Sequence, residues 1–517
     1  MVKWLLFSIA LVFGFFLKAQ NNTLFMASFY KDHLNQPSYL LEYQPSNFLP
    51  ISENDLPLTK KIADSSIQYY DFTETLFKKH LIEVRHKDYT LNISPIFNFA
   101  MGKEFNDTVK RRLFQNTRGA YIDATIGKQF SFFTYFVENQ ARFATYQREF
   151  YLSNGEFYPQ NSDSSYQRQN AVILGGGRTK PFKIDAFDYA YAVGNFVYTP
   201  FRFLKIMAGN NPRFVGTGYR SMLLADNSHV APYFRIDWKI NSKWSYTYDR
   251  ARLLNLMRRP YHSTPEAMYE TKLMGTYYLS YQASKRFKIS LFEGAIWSKG
   301  DSISQIKTNP LFFNPVPILN HFLVKQNKYY AVTGIDLSMI IGKQWLTYTQ
   351  FASGNFEENQ FAWQLGTRWY PSQRQKNMML QLEYNGATEN MYQSENARIN
   401  YSHSNLAMAH PKGNGFQEVL LRANYEWKRC YVNLQFNQYF SNHFQQNALS
   451  PVQEISLKKK LSIFYQQSEI GYRFNRKMNF CVFVQSVYRN GNDLGYPATF
   501  TLSGGIKTAI FNTYQDF

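Results

Sequence analysis

The chain has 517 residues, 44% of them hydrophobic and 18% aromatic, with 39 Tyr and 46 Phe, and a mean hydropathy of −0.42. That polarity, with no apolar run beyond the N-terminus near the ~20 residues a membrane helix needs, excludes a helical membrane protein. The formal charge of +20 fits anionic partners, although Lys and Arg in turns and at membrane interfaces account for it as readily.

Residues 1–20 carry Lys3, an apolar run from Trp4 to Leu17, and then Lys18-Ala19-Gln20. This pattern predicts an export signal cleaved near Ala19 or Gln20. Cleavage removes two lysines and no acid, leaving +18. Export makes nucleic acid the weakest of the anionic partners and leaves lipopolysaccharide and acidic polysaccharide. Residues 21–88 form the next unit, a partly helical periplasmic segment. Within it, Pro57 to His86 shows helix-like spacing of Ile62, Tyr69, Leu76 and Leu81. Lying before the barrel, it is expected on the periplasmic side or plugging that mouth.

From residue 89 to 517 the pattern changes to short alternating segments. Strands are predicted over 89–100, 118–128, 130–142, 188–198, 202–208, 232–240, 244–250, 272–283 and 286–297, and then over 329–341, 344–352, 361–370, 377–386, 416–427, 429–440, 461–473, 477–488 and 498–511. In one of them Ala120, Ile122, Ala124 and Ile126 oppose Tyr121, Asp123 and Thr125. Tight connections such as Gly127-Lys128-Gln129 and Ser284-Lys285 alternate with long ones over about 143–187, 209–231, 251–271, 298–328, 387–415 and 441–460. Short periplasmic turns, long outer loops and an even strand number define an all-β transmembrane antiparallel barrel of about 18 strands in the outer membrane. The terminal aromatic Phe517, following an alternating strand, is expected as a barrel-insertion signal. No blade-length repeat supports a propeller. Cys430 falls on the apolar phase of its strand and Cys481 on the polar phase of another, so a disulfide is not expected.

Three loops are dense enough to hold a site. In 209–236, Gly216-Thr217-Gly218 has neither the preceding strand nor the following helix of a phosphate loop. There Arg213, Tyr219, Arg220, Asp226 and Asn227 can hydrogen-bond inside a polar lumen. In 383–418, His403 and His410 are seven apart without a third ligand, which predicts no metal. Ser402 and Ser404 beside these histidines lack the spacing of a nucleophile–base pair. The Pro- and Phe-rich stretch 307–322 is expected as a packed inner loop.

The segment FVGTGYRSMLLADNSHVAPYFRI (214–236) resembles the signature of the Wzi-like capsule-assembly outer-membrane family, closest to its gliding-motility, RemB-like branch in Bacteroidetes. The stretches NYSHSNLAMAHPKGNGFQE (400–418) and LFEGAIWSKG with NPLFFNPV (291–316) are similar to the same branch, in the expected order, and the likeness runs from about residue 60 onward. Val215 departs from it, where relatives often carry an aromatic residue or isoleucine. The resemblance implies an 18-stranded barrel closed at its periplasmic end by an N-terminal helical element. It also implies handling of surface polysaccharide, with no catalytic residues to carry over.

The resulting expectation is a non-enzymatic outer-membrane barrel, without cofactors, that binds or organises surface exopolysaccharide for capsule attachment or gliding. Its expected partners are surface polysaccharide, outer-membrane lipid, and motility or secretion machinery, with no nucleic acid. Aromatic rings would stack on sugar faces and basic groups would pair with acidic sugars. The candidate contacts, placed in outer loops, are Arg213, Tyr219, Arg220, Asp226, Asn227, Tyr384, Tyr401, His403, His410 and Glu418. Each serves equally well to fix a loop inside the lumen. A porin or transport channel is the alternative, since eighteen strands leave room for an aqueous path.

Overall fold

The computed structural model describes residues 27–51, 79–107, 109, 111–127, 129–159, 166–258, 269–299, 308–324, 328–371, 378–452, 457–493 and 498–517. Eighteen strands form the wall. They are β1 (Tyr89–Glu104), β2 (Arg112–Ile126), β3 (Phe130–Arg142), β4 (Ala186–Phe201), β5 (Leu204–Gly209), β6 (Tyr233–Lys239), β7 (Trp244–Asn255), β8 (Glu270–Ser284) and β9 (Phe287–Ser298). The second half comprises β10 (Tyr329–Ile341), β11 (Trp345–Gly354), β12 (Phe361–Trp369), β13 (Met378–Ala387), β14 (Phe416–Trp427), β15 (Cys430–Gln445), β16 (Lys458–Asn475), β17 (Phe480–Gly491) and β18 (Thr499–Thr508). Each pairs antiparallel with its neighbours in sequence, and β18 closes on β1 from Thr501↔Glu104 to Lys507↔Asn98. Closure leaves the sheet without a free edge, the condition for a sheet to cross a bilayer.

All eighteen predicted strands are present. Several run further toward the long loops than predicted: β7 reaches Asn255 and β2 starts at Arg112. Backbone pairing persists there after the apolar alternation has faded into polar side chains. The described end of the helix predicted over 57–86 is instead a strand, Ile82–Arg85, paired with Thr90–Ile93. It takes up the part of β1 that β18 does not reach. The rest of that predicted helix lies outside the described residues.

Alternation sorts the wall into two faces. On β17, Val482 and Val484 face outward while Cys481, Phe483 and Gln485 face the lumen. Cys430 is exposed, Cys481 is buried, and both are free thiols.

The lumen is packed. Two short helices, α1 (Ser28–Leu34) and α2 (Pro37–Tyr43), lie within the half nearer the short turns. Asp32 of α1 pairs with Arg368 on β12 and Arg422 on β14, and accepts from Asn424. Phe48-Leu49 then pairs with Phe214-Val215 across the lumen. Phe48, Val215, Met222, Leu223, Leu224, Tyr278, Phe292 and Tyr401 belong to one buried cluster. Burying a side chain such as Phe48 fully contributes about 1.5–3 kcal/mol.

Two segments lie elsewhere than expected. Residues 509–517 leave β18 and run back through the lumen, so that Phe517 is 1% exposed and packs on Phe150 and Tyr151 of α3 (Thr145–Ser153), with centroids 4.0 and 5.6 Å away. The terminal aromatic therefore sits in the core of the lumen and not on a wall strand. The described part of the expected inner loop, 308–322, packs with residues 323–324 against the outer face of β7–β10 and not inside the lumen. Its Phe312 clusters with Ala295, Trp297, Tyr329 and Ala331, which point away from the lumen because Phe292 and Tyr330, on the opposite phase, point into it.

Candidate functional site

The loop between β5 and β6 crosses the middle of the lumen and delivers Arg220, whose side chain is 1% exposed. Its Nη2 donates to Asp516 Oδ2 at 2.7 Å, to the Asp516 carbonyl at 2.9 Å, to Glu418 Oε1 at 3.2 Å and to Tyr439 Oη at 2.6 Å. Glu418 stands on the lumenal phase of β14, and its Oε2 accepts from His410 Nε2 and Asn385 Nδ2, each at 2.9 Å. Beside it, Glu383 on β13 accepts from Tyr348 Oη at 2.6 Å and from the backbone N–H of Tyr219 and Arg220. Wall, crossing loop and tail are thus tied by one charged network. Removing either sign leaves buried charge without a partner.

The glycines of the crossing loop follow from this packing. Gly216 has φ +114, and a Cβ there would meet Gln350 Nε2 at 2.2 Å. Gly216 N–H donates to the Asn47 carbonyl at 2.9 Å. The motif seats a loop against the N-terminal segment.

The other predicted residues divide by location. Arg213 pairs with Asp249 on β7. Asp226 accepts from Asn512 at 2.8 Å and Tyr514 at 2.5 Å, which anchors the tail. Asn227 donates to the Ala407 carbonyl at 2.7 Å and Tyr401 Oη to the Leu223 carbonyl at 2.9 Å. Tyr219 is half-buried, under the Arg422 guanidinium at 4.5 Å. Tyr384 is not in an outer loop: it sits on β13 at 36% exposure, on the outer face with Leu382, Val419 and Leu421. Glu418 is likewise on a strand. Arg213, Arg220, Asp226, Asn227, Tyr401, His403, His410 and Glu418 are all buried. These eight are therefore not exposed on the rim as the outer-loop placement expected, and their bonds hold loops and tail in the lumen.

Both histidines are engaged. Leu254 N–H donates to His403 Nδ1 at 3.0 Å, which leaves Nε2 to donate to the Val230 carbonyl at 3.3 Å. Lys412 N–H donates to His410 Nδ1 at 3.1 Å. Burial lowers His403 from 6.5 to about 3. Burial also lowers His410 to about 4, against the pull of Glu418. His403 has no free nitrogen lone pair to activate Ser404, whose Oγ lies 3.5 Å from Nε2. Among the described residues no group of His, Cys, Asp and Glu converges as a metal site.

Open space lies at the two ends. On the long-loop rim a shallow cleft of about 60 Å³ runs between α3, the β13–β14 loop and residues 444–450. It is lined by Phe150, Asn154, Arg168, Asn405, Asn414, Asn447 and Asp493, among others. On the short-turn rim one cavity of about 210 Å³ adjoins α1. Another of about 330 Å³ is lined by Arg202, Lys205, Arg235, Lys239, Lys243 and Lys288, with Asp237 as its acid. Sequence reasoning passed over these three. The basic cavity alone leaves a trace, in cations on the lumenal phase of β5 and β6, whereas the cleft joins loops remote in sequence.

These features define a transmembrane β-barrel of the outer-membrane type with a protein-filled lumen. Among solved structures the chain is similar to Wzi of Escherichia coli, described as an outer-membrane protein involved in group 1 capsule assembly and a carbohydrate-binding β-barrel. The TM-score is 0.55 at 11% identity, over 95% of this chain and 100% of that one. At that identity the likeness is one of fold. OccAB4 of Acinetobacter baumannii (TM-score 0.42, 8% identity, 82% of this chain and 98% of that one) and OccK9 of Pseudomonas aeruginosa (0.41, 9%, 81% and 97%) are more distant. No protein-family model and no curated protein matches the chain.

Proposed function

We propose that the protein is a non-enzymatic outer-membrane anchor for surface exopolysaccharide, serving capsule attachment or gliding. In this reading residues 1–20 are a leader, 21–88 a periplasmic segment and 89–517 the barrel. The observation that carries the reading is the filled lumen: a barrel whose middle is occupied by a crossing loop, a charged network and a returning tail is built to present a surface. The long-loop cleft supplies that surface. Its amides, Arg168 and Phe150 match what a sugar chain offers, namely hydroxyls, acidic groups and apolar ring faces. Its small volume suits a polymer lying across the rim. The fold shared with a carbohydrate-binding barrel supports the same reading.

The test is a clean deletion strain, with polysaccharide on washed cells compared with that shed into the medium. The reading expects a shift toward shed material, restored by the wild-type gene. Unchanged retention, or steady channel openings from purified protein, would replace it with transport.

A further inference from the structure

The wall residues beneath segment 308–324 are the wrong kind for a lipid-facing surface. On β7 the lumenal phase is Ser245, Thr247 and Asp249, which leaves Tyr246, Tyr248 and Arg250 on the outer phase, where Arg250 pairs across the sheet with Gly275 and Phe234. Tyr277 of β8 and Glu293 of β9 share that outer phase and pair with each other. Yet Arg250, Tyr277 and Glu293 are buried. An arginine and a glutamate on the outside of a barrel are costly at membrane depth unless covered.

The segment covers them, and many of its backbone groups are hydrogen-bonded in doing so. Arg250 Nε donates to the Phe312 carbonyl at 2.7 Å and Nη2 to the Asn314 carbonyl at 2.8 Å. Tyr277 Oη donates to the Asn314 carbonyl at 2.6 Å, Tyr248 Oη to the Phe313 carbonyl at 3.0 Å, and Tyr246 Oη to the Pro315 carbonyl. Glu293 accepts the Ile318 N–H. Asn314 Oδ1 accepts the Val316 N–H at 3.0 Å, and Asn309 Oδ1 accepts that of Leu311 at 3.0 Å. Pro310, Pro315 and Pro317 carry no N–H at all. The short helix α4 (Leu319–Leu323) internalises part of the remainder. Non-strand backbone can lie in hydrocarbon only when its polar groups are met in this way.

From Phe313 to Leu323 every exposed side chain is apolar, and the exposed Asn309 precedes this run. Phe313 is 62% exposed, Val316 50%, Leu319 40%, Phe322 76% and Leu323 54%. Asn320, a polar side chain within this run, is buried and donates to Tyr277 Oη at 3.2 Å, and the half-buried His321 packs on Phe356. The deepest contact, Pro315 with Tyr246, lies two residues from Trp244, an exposed aromatic at the short-turn end of the same wall. Exposed Ile289, Ile335 and Met339 continue the apolar surface beside it.

We infer that residues 308–324 form a strap embedded in the bilayer against the outside of the barrel, and that its apolar face is an interaction surface for lipid acyl chains. The occupant is hydrocarbon, because the exposed face is continuous with the lipid-facing belt and the backbone from Phe312 to Pro315 gives its carbonyls to the wall.

The test is nitroxide labelling of the full-length protein in liposomes, in a Cys430→Ser background, at Val316→Cys and Phe322→Cys. Leu365→Cys on the outer wall is the lipid reference and Glu358→Cys in a loop the water reference. Collision with oxygen should exceed collision with a water-soluble nickel complex at both sites, as at Leu365, and by a larger factor at Val316 than at Phe322. Nickel access like that at Glu358 would overturn the inference, placing the strap in water. Protection from both reagents would overturn it in favour of a protein partner.

Discussion

Arg220 and Asp516 lie 296 residues apart in sequence and meet in the middle of the barrel, Nη2 to Oδ2 at 2.7 Å. One belongs to a loop that enters from the long-loop rim, the other to a tail that returns from the short-turn rim. Their contact with Glu418 joins both to the wall.

That junction sets the first prediction. Arg220→Ala leaves Glu418 and Asp516 as buried carboxylates without their cation, at a cost of about 3–5 kcal/mol. Urea unfolding of the refolded barrel should shift to a clearly lower midpoint. The triple change Arg220→Met, Glu418→Gln, Asp516→Asn should lie much closer to wild type, because no unpaired charge remains.

Acid should weaken the loops through their histidines. Burial holds His410 at about 4 and His403 at about 3, both below the ordinary value of 6.5. The unfolded chain therefore binds more protons at these histidines than the native one between those values, so their contribution to stability is full above pH 6.5, falls as pH drops toward 4, and is lost below 3. Thermal midpoints across this range, with His410→Gln giving the shallower fall, check the sign.

Seam closure between β18 and β1 depends on Gly505. A Cβ there would meet the Phe99 carbonyl at 2.0 Å and Ala100 Cα at 2.7 Å, both backbone atoms that cannot swing aside. Gly505→Ala should abolish the compact, heat-modifiable band on unboiled gels. Gly504→Ala, whose nearest atom is at 3.2 Å, should lose far less.

The strap should come loose when its underlayer is cut. Arg250→Ala orphans the Phe312 carbonyl and removes one of the two donors to that of Asn314, and a buried acceptor left without a partner costs about 1–3 kcal/mol. Protease nicking within 308–324 should accelerate in detergent while the barrel itself stays folded.

The strands were legible because alternation is written into each one, as in Ala120, Ile122 and Ala124 against Tyr121 and Asp123. What alternation could not reveal is which face covers what. Arg250 and Glu293 look like lumenal residues by chemistry, and only the register shows them outside under a strap. Tyr384 already falls in the strand predicted over 377–386, and what the structure adds is that its phase, with Leu382, faces outward. The tail is nine residues after a strand, with no periodicity to say that it turns inward. The candidate site was legible only as a set of polar loop residues. Whether Arg213 or His410 faces water or a carboxylate depends on contacts between segments far apart in sequence, such as Arg213 with Asp249.

In the proposed function the filled barrel holds glycan at its long-loop rim. The most direct measurement is binding of the cells' own purified exopolysaccharide to the protein in liposomes, comparing wild type with Arg168→Glu. Wild type should bind saturably, and the charge reversal at the cleft should weaken binding sharply, with both proteins equally heat-modifiable. No binding to wild type, or equal binding by the two, would contradict it.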